Sequence, residues 1–206
     1  MTTDVDDIIG LYERRAHDWA RDRSVPGRFM EKNWLDRFTA LIPQGGKILD
    51  IGCGFGKPIA AYLIAQGFDV SGVDSSPTMI SLCKRDFPAH EWLVGDMRSL
   101  TLGRQLNGVL AWDSFFHLTH DDQRQMFPIF LAHALPGAPL MFTSGPAHGE
   151  AIGDLRGEAL YHASLDPCEY RALLAANDFD VVDQRSDDHE CGGHTIWLAR
   201  RKTKPD

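Results

Sequence analysis

The stretch that decides the fold runs from Leu49 to Pro58 and has the sequence LDIGCGFGKP. It overlaps a short apolar run, residues 47–51, that predicts a buried strand. It leads into residues 58–66, whose helical pattern has a proline in the first turn. Glycines at a strand-to-helix junction let the backbone turn sharply and let a ligand approach the main chain closely. The stretch therefore predicts a ligand-binding turn at the carboxyl end of a strand.

Short apolar runs alternate with helical patterns along the chain that follows. The runs predict buried strands and the patterns between them predict helices (strands 69–73, 91–94, 108–112 and 139–143; helices 77–85 and 121–135). Parallel strands need such crossover connections. The alternation therefore predicts an α/β fold with a doubly wound, mainly parallel Rossmann-like sheet.

The last third of the chain departs from this alternation. Residues 167–176 predict a helix, and the apolar runs 179–182 and 195–199 predict two strands with no helix between them. Strands joined by a polar loop, here residues 186–193, pair most easily in antiparallel fashion. We therefore expect an antiparallel last strand. At the other end, residues 1–46 form a helical preface, in which Ile8, Ile9 and Tyr12 have a helical spacing.

Composition limits the kinds of protein that this can be. Of the 206 residues, 43% are apolar and 24% are charged, values near the globular average that exclude a wholly disordered chain. No stretch has the roughly 18 uninterrupted apolar residues of a membrane span, and the acidic start lacks the features of a secretory signal. We therefore expect a cytoplasmic protein of one main domain, without a membrane partner.

Charge and cysteine content disfavour nucleic acid and metal as ligands. The net charge is −8, and the one obvious basic cluster lies in residues 200–204. Because nucleic-acid binding needs basic residues on one face, nucleic acid is a disfavoured partner. The four cysteines are scattered, which predicts reduced thiols. Cys191 and His194 have the spacing of metal ligands, but no second cysteine pair accompanies them, so we expect no metal.

Two further acidic signals follow predicted strands. Asp74 ends the second strand, where a carboxylate can accept hydrogen bonds from both hydroxyls of a ribose. Gly95-Asp96-Met97 follows the third strand, where a carboxylate and a backbone N–H can meet an adenine. With the glycine turn, these residues would form an adenosine site along three adjacent strand ends, which is where doubly wound sheets bind ligands.

A dinucleotide such as NAD is the alternative ligand. Its fingerprint, however, has a glycine where Lys57 stands here, and Pro58 lacks the N–H that a phosphate would use. A nucleotide-dependent oxidoreductase is therefore disfavoured but stays open as an alternative function. A protein that binds an adenosine cofactor without catalysis is a second alternative.

Three motifs resemble those of the class I S-adenosylmethionine-dependent methyltransferases, in the small bacterial single-domain form. These are residues 49–56, residues 73–76 followed by Met79, and residues 95–97. The resemblance covers most of residues 30–200. It implies a seven-stranded sheet with an antiparallel last strand. It also implies transfer of a methyl group from S-adenosyl-L-methionine to a small-molecule acceptor, with S-adenosylhomocysteine as the other product.

The resemblance also implies which residues hold this cofactor. The glycine turn would carry its methionine moiety, Asp74 with Ser75 its ribose, and Asp96 with Met97 its adenine. Trp112 would stack on the adenine, face the positively charged methyl donor or simply pack in the core. The implied cofactor-binding residues are Asp50, Gly52, Cys53, Gly54, Gly56, Asp74, Ser75, Asp96, Met97 and Trp112.

The segment 112–118, which ends the fourth strand, would face the acceptor. The cofactor carries a good leaving group, so the protein has mainly to hold the acceptor atom in line with the methyl group. A general base is needed only if the acceptor arrives protonated. His117 and Asp113 are the candidate catalytic residues. His117 would take a proton, orient the acceptor or shape the pocket, with a pKa of about 6.5 unless its site shifts it.

Two segments are candidates for covering the site. In such methyltransferases an N-terminal helix closes over the cofactor, so residues 1–46 are expected to be a helical lid or cap. The methyltransferase domain would then span residues 47–201, and residues 202–206 would be a tail. Arg21 or Arg23 could pair with the methionine carboxylate. Residues 145–164, a long connection with little regular pattern, are expected to join the acceptor pocket.

Overall fold

The computed structural model describes residues 5–25 and 29–203. Parts of the expected lid (1–4 and 26–28) and of the expected tail and basic cluster (204–206) lie outside these residues. The described helices are α1 (Val5–Arg23), α2 (Lys32–Thr39), α3 (Ile59–Ala65), α4 (Pro77–Asp86), α5 (His120–His133) and α6 (Pro167–Ala176). The described strands are β1 (Lys47–Ile51), β2 (Asp69–Asp74), β3 (Glu91–Val94), β4 (Gly108–Ala111), β5 (Pro139–Ser144), β6 (Gly149–Leu155), β7 (Glu158–Ser164), β8 (Phe179–Asp188) and β9 (His194–Arg201).

Seven of the strands form one sheet in the order β3-β2-β1-β4-β5-β9-β8. The pairs among the first five strands are parallel, whereas β9 is antiparallel to both β5 and β8. The expected fold class, a mainly parallel seven-stranded sheet with an antiparallel last strand, is therefore confirmed. None of the described helices is both long and apolar enough to cross a membrane.

Alternating side chains of the strands pack into two cores, one on each face of the sheet. In β1, Leu49 and Ile51 pack with residues of α5 and α6, such as Phe127 and Leu174. Ile48 points to the other face, where it packs with residues of α2, α3 and α4. This two-sided burial explains why the central strands are mostly apolar. It also fixes their carboxyl ends along one edge of the sheet.

The two N-terminal helices play different structural parts. Trp34, Leu35 and Phe38 of α2 are buried in the core beneath the sheet, so this helix is an integral part of the domain. Helix α1 instead packs against α4 and β7, and it runs from Val5 to Arg23. Of the described residues before β1, those of α1 are placed as a cover would be, and the expected division of the chain at residue 46 stays a prediction.

Residues 145–164 are more regular than the sequence suggested. They contain an antiparallel hairpin, in which Gly149 pairs with Ser164 and Leu155 pairs with Glu158. The expectation of little regular structure was wrong because the strands are stabilised by tertiary contacts, since Leu160 and its neighbours pack against Ile8 and other residues of α1. The expected polar loop 186–193 is likewise shorter, because β8 continues to Asp188 through two irregularities in its pairing with β9.

Candidate active site

A cavity of about 1030 Å³, counting space open to solvent, lies at the carboxyl ends of β1 to β4. Helix α1 forms its opposite wall with Ile8, Ile9, Tyr12, Trp19 and Arg23. All but one of the site residues expected from the sequence line this cavity, namely Asp50, Gly52, Cys53, Gly54, Asp74, Ser75, Asp96, Met97, Trp112, Asp113 and His117. The structure thus brings together residues from four separate strand ends.

The exception is Gly56, which is not among the lining residues. Its φ of 79° suits the turn, but a side chain there would meet Phe87 and Cys83, at 3.1 and 3.3 Å from the added carbon. Gly56 therefore keeps the turn packed against α4 and the residue that follows it. Its expected contact with the cofactor stays a prediction.

Gly52 and Gly54 are needed for different reasons. An added carbon at Gly52 would lie 2.2 Å from Cβ of Ser114, so only glycine fits beside the end of β4. At Gly54, where φ is 54°, the nearest atom to an added carbon is Nε1 of Trp19, 4.0 Å away. Gly54 therefore faces open space between the turn and α1, as a backbone that a ligand approaches closely would.

Asp74 is tied to the glycine turn. Its Oδ2 accepts a hydrogen bond from the backbone N–H of Gly54 at 2.8 Å, and its Oδ1 accepts one from the N–H of Ser76 at 2.9 Å. Burial raises the pKa of this carboxyl, while the two N–H donors favour its charged form. The sequence indicated Asp74 as a ribose ligand, but it did not indicate that Asp74 also holds the turn in place.

Helix α1 is fastened to the neighbouring part of the site by Glu13. Its carboxylate accepts hydrogen bonds from the Ser76 hydroxyl, from the Thr78 hydroxyl at 2.6 Å and from the Thr78 N–H at 3.2 Å. These groups stand at the start of α4, where a negative charge is favourable. On its other side, Arg15 of α1 pairs with Glu158 of β7 at 2.8 Å. The helix is thus held at both flanks of the cavity.

Asp50 is a buried acid in the wall of the cavity, with 3% of its surface exposed. Burial raises its pKa to about 7, and the nearby negative charge of Asp74 adds to this shift. Its charged form is costly in the described structure. A cation bound in the cavity would lower that cost, because an opposite charge nearby favours the ionised acid.

Asp96 and Met97 lie at the start of a short helical turn after β3. Oδ1 of Asp96 accepts the N–H of Arg98 at 2.9 Å, and the Arg98 guanidinium donates to Oδ2 at 2.6 Å. The Asp96 carboxylate is therefore fixed in orientation at the edge of the cavity. Its contact with an adenine stays a prediction.

His117 has both ring nitrogens engaged. Nδ1 lies 2.8 Å from the carbonyl oxygen of Tyr161, so it must carry the proton and donate it. Nε2 then accepts from the hydroxyl of Tyr12 at 2.9 Å. Burial lowers the pKa of His117 to about 4, and it raises the pKa of Tyr12 well above its usual value. A histidine with such a low pKa holds an additional proton only weakly. His117 is therefore better suited to orienting an acceptor by a hydrogen bond than to removing a proton from that acceptor.

Asp113 and His194 form an ion pair that the sequence did not reveal. Nε2 of His194 lies 2.9 Å from Oδ1 of Asp113, and the other ring nitrogen, Nδ1, lies 2.6 Å from the carbonyl oxygen of Cys191. Asp113 raises the pKa of His194 to about 8. Asp113 itself has a left-handed backbone with φ of 48°, and its N–H donates to the Thr143 hydroxyl at 2.9 Å. The pair could be found only from the topology, which brings the start of β9 beside the end of β4.

The basic residues expected to meet a carboxylate are already paired. Arg23 lines the cavity, but its guanidinium binds the carboxylate of Glu31, which is buried. Arg21 is exposed and binds Asp18 of the same helix. Trp112, also in the wall, has a buried indole N–H without a hydrogen-bond partner among the described residues.

Comparison with known proteins gives matches in both sequence and structure. A family model described as a methyltransferase domain matches residues 48–137. The putative methyltransferase YqeM of Bacillus subtilis (strain 168) is 35% identical over 115 residues, which is 53% of this chain and 46% of that protein. The chain thus matches about half the length of this curated relative. The dTDP-3-amino-3,4,6-trideoxy-alpha-D-glucopyranose N,N-dimethyltransferase of Streptomyces venezuelae is 25% identical over 190 residues, 87% of this chain and 76% of that protein.

The fold is also found in solved structures. CalS10 from Micromonospora echinaspora, an amino pentose methyltransferase solved with bound S-adenosylmethionine, has a TM-score of 0.70 and 19% identity to this chain. The similarity covers 90% of this chain and 96% of that one, and at this identity it shows a shared fold. The region matched by the family model runs from β1 to the end of the segment after α5. It therefore contains the glycine turn, Asp74, Asp96, Asp113 and His117.

Proposed function

We propose that this chain is a class I S-adenosylmethionine-dependent methyltransferase and that it transfers a methyl group from S-adenosylmethionine to a small-molecule acceptor. The second product is S-adenosylhomocysteine. One observation carries the proposal, namely that a single cavity collects the glycine turn, Asp74, Asp96 and the end of β4 along adjacent strand ends. The Streptomyces venezuelae relative, which acts on a sugar according to its name, supports an acceptor of small size.

The lining residues fit this ligand chemically. Gly54 leaves space where the methionine moiety would pass the main chain, and the buried Asp50 offers a negative charge for its ammonium group. Asp74 keeps lone pairs for the ribose hydroxyls beyond those used by two backbone N–H groups. When bound, S-adenosylmethionine supplies the reactive methyl group and its leaving group. The protein holds the acceptor at the remaining end of the cavity, near Asp113 and His117.

Helix α1 is proposed as the lid. It forms the wall opposite the strand ends, and its Tyr12 hydroxyl occupies Nε2 of His117. An acceptor that uses this nitrogen must displace the hydroxyl, which requires the Tyr12 side chain or α1 itself to move. The four cysteines are free thiols, which fits a reducing cytoplasm as the place of the activity.

Two measurements test the proposed function. Calorimetry with S-adenosylmethionine, S-adenosylhomocysteine and NAD is expected to show binding of the first two only. Binding of NAD in their place would overturn the proposal in favour of a nucleotide-dependent oxidoreductase. Transfer of a labelled methyl group to a panel of small molecules then separates an enzyme from a protein that only binds the cofactor.

A further inference from the structure

The charges along the cavity restrict the chemistry of the acceptor. The two basic side chains in the described lining are Arg23 and Lys57. Arg23 binds the buried carboxylate of Glu31, and Lys57 pairs with Asp86 at 2.7 Å. His117 is uncharged because its pKa is lowered to about 4 by burial. No unpaired positive charge therefore stands in the described lining, and a carboxylate or phosphate acceptor would find no counter-charge there.

Hydrogen-bond acceptors, in contrast, converge at the end of the cavity beyond the adenosine-binding strand ends. Asp113 presents a carboxylate at the end of β4, and His117 presents Nε2, which the Tyr12 hydroxyl covers. The charge of Asp113 reaches both Tyr12 and His117, as its influence on their pKa values shows. A molecule with N–H donors suits this end of the cavity.

The Asp113 carboxylate is held in place rather than mobile. His194 approaches it at 2.9 Å, and the His194 ring is itself fixed by the Cys191 carbonyl at 2.6 Å. The Trp112 ring packs on His194 with centroids 5.7 Å apart. Glu31 is the other acid that acts on His194, and Arg23 neutralises it. These contacts fix both the position of the Asp113 carboxylate and the group that balances its charge.

We propose that the methyl acceptor is a primary or secondary amine, that Asp113 binds its nitrogen, and that His194 is the positioning residue for Asp113. This inference rests on the proposed function. The amine reacts in its neutral form, after its ammonium form has lost a proton to water. The nitrogen lone pair forms the bond to the methyl carbon, and the pair of the broken carbon–sulfur bond returns to sulfur. The nitrogen becomes an ammonium as this happens, and Asp113 stabilises the positive charge that develops on it.

The first measurement is binding of S-adenosylhomocysteine by the full chain. A failure to bind would contradict the proposed function, whereas the amine inference is tested by the measurements that follow. Labelled methyl transfer is then measured for matched compounds on one ring: cyclohexylamine, N-methylcyclohexylamine, cyclohexanol, cyclohexanethiol and cyclohexanecarboxylate, together with a broader set of amines and their alcohol counterparts. The amines are expected to be the methylated members. The inference is overturned if methyl transfer to the amines is no faster than transfer to the alcohol, thiol and carboxylate counterparts. It is also overturned if no compound of the panel is methylated.

Two variants assign the roles. Asp113→Asn keeps a residue that tolerates a left-handed backbone, and it should lower kcat/KM for the amine about ten- to a hundredfold, the worth of a hydrogen bond to a charged group. Its affinity for S-adenosylhomocysteine should stay within about twofold, which also shows that it is folded. Asp121→Asn, which changes an exposed acid on α5, is the matched control and should change neither value. An unchanged kcat/KM in Asp113→Asn contradicts the inference.

His194→Gln tests positioning through a pH profile. In the wild-type protein, His194 loses its charge near pH 8, which leaves the charge of Asp113 unopposed, so kcat/KM calculated on the concentration of neutral amine should show a rise in that range. Glutamine keeps an N–H donor but does not titrate, so the variant should retain most activity and lose this rise. A profile identical to that of the wild type would show that His194 does not act through Asp113.

Discussion

The hydroxyl of Tyr12, on helix α1, donates a hydrogen bond to Nε2 of His117 at 2.9 Å. Tyr12 belongs to the proposed lid and His117 lies at the proposed acceptor end of the cavity, so the contact joins these two parts. Nδ1 of His117 donates to the Tyr161 carbonyl, so Nε2 carries the one lone pair of the ring that can accept a hydrogen bond. The Tyr12 hydroxyl occupies that lone pair. Lid position and the availability of His117 to an acceptor are therefore coupled.

Replacement of His117 measures how much this lone pair contributes. His117→Ala should lower turnover roughly ten- to a hundredfold if Nε2 accepts a hydrogen bond from the acceptor, whereas affinity for S-adenosylhomocysteine should change little. Tyr12→Phe keeps the ring but removes the hydroxyl, so it should leave turnover at or above the wild-type level. Because the pKa of His117 is about 4, the pH profile should show no acid limb from this residue above pH 5. An acid limb near pH 6.5 that disappears in His117→Ala would show that His117 acts as an ordinary base.

Asp74 should serve both the ligand and the turn. Asp74→Ala removes the partner of the N–H groups of Gly54 and Ser76, as well as the expected ribose contacts. We expect affinity for S-adenosylmethionine to fall at least about tenfold and the apo protein to be destabilised by about 1–3 kcal/mol. Asp69→Ala, an exposed acid at the opposite end of the same strand, is the control. Calorimetry and urea unfolding measure the two effects, and wild-type affinity in a folded Asp74→Ala would remove Asp74 from the ribose site.

Substitutions in the glycine turn should separate binding from folding. Gly54→Ala adds a carbon where the protein leaves 4.0 Å, so the apo protein should fold with a penalty of about 1–2 kcal/mol for the left-handed backbone. Its binding of S-adenosylmethionine should be lost. Gly103→Ala has a similar φ, 67°, and open space around it, so it reproduces the backbone penalty without touching the cavity. Gly52→Ala should instead fail to fold stably, because its added carbon meets Ser114.

Cofactor binding should release protons from Asp50. Its pKa is about 7 in the described structure, and the ammonium of S-adenosylhomocysteine would favour the ionised form. Affinity should therefore fall as the pH drops below 7, by up to about tenfold per unit, and stay constant above it. Calorimetry at pH 6.5 in two buffers of different ionisation enthalpy counts the protons released. Asp50→Asn should bind more weakly and release none, and equal proton release by the variant would refute the assignment.

His194 should make folding stability depend on pH. Its pKa is about 8 when folded and about 6.5 when unfolded, so the folded state binds the proton more tightly. The resulting stabilisation is fully present below pH 6.5 and is lost as the pH rises through 8, and it amounts to about 2 kcal/mol. Urea unfolding at pH 6 and pH 9 should show this loss in the wild-type protein. The loss should be smaller in His194→Gln, since glutamine does not titrate.

The parts of the site that the sequence predicted are those encoded by local patterns. Apolar runs that end in Gly52, Asp74 and Asp96 are contiguous in sequence, and parallel sheet geometry then brings their ends together. The same runs predicted the sheet itself, because a strand buried on both faces is mostly apolar. These features need no knowledge of which distant segments touch.

What the sequence did not predict depends on contacts between distant segments. The β6–β7 hairpin is stabilised by packing on α1, and its own strands lack a strong alternating pattern. The pairing of Asp113 with His194 requires the antiparallel placement of β9 beside β5. The low pKa of His117 comes from burial, which a residue pattern does not report. In each case tertiary structure decides what the local sequence leaves open.

The position of β9 has a consequence for synthesis of the protein. This strand lies between β5 and β8 but is made after both. Until residues 194–201 have left the ribosome, β5 has an open edge and β8 has no partner in the sheet, which exposes the nascent chain to edge-to-edge association. His194 is the first residue of β9, so insertion of the strand also delivers His194 to Asp113. Closure of the sheet and completion of the acceptor end of the cavity are thus the same late folding event.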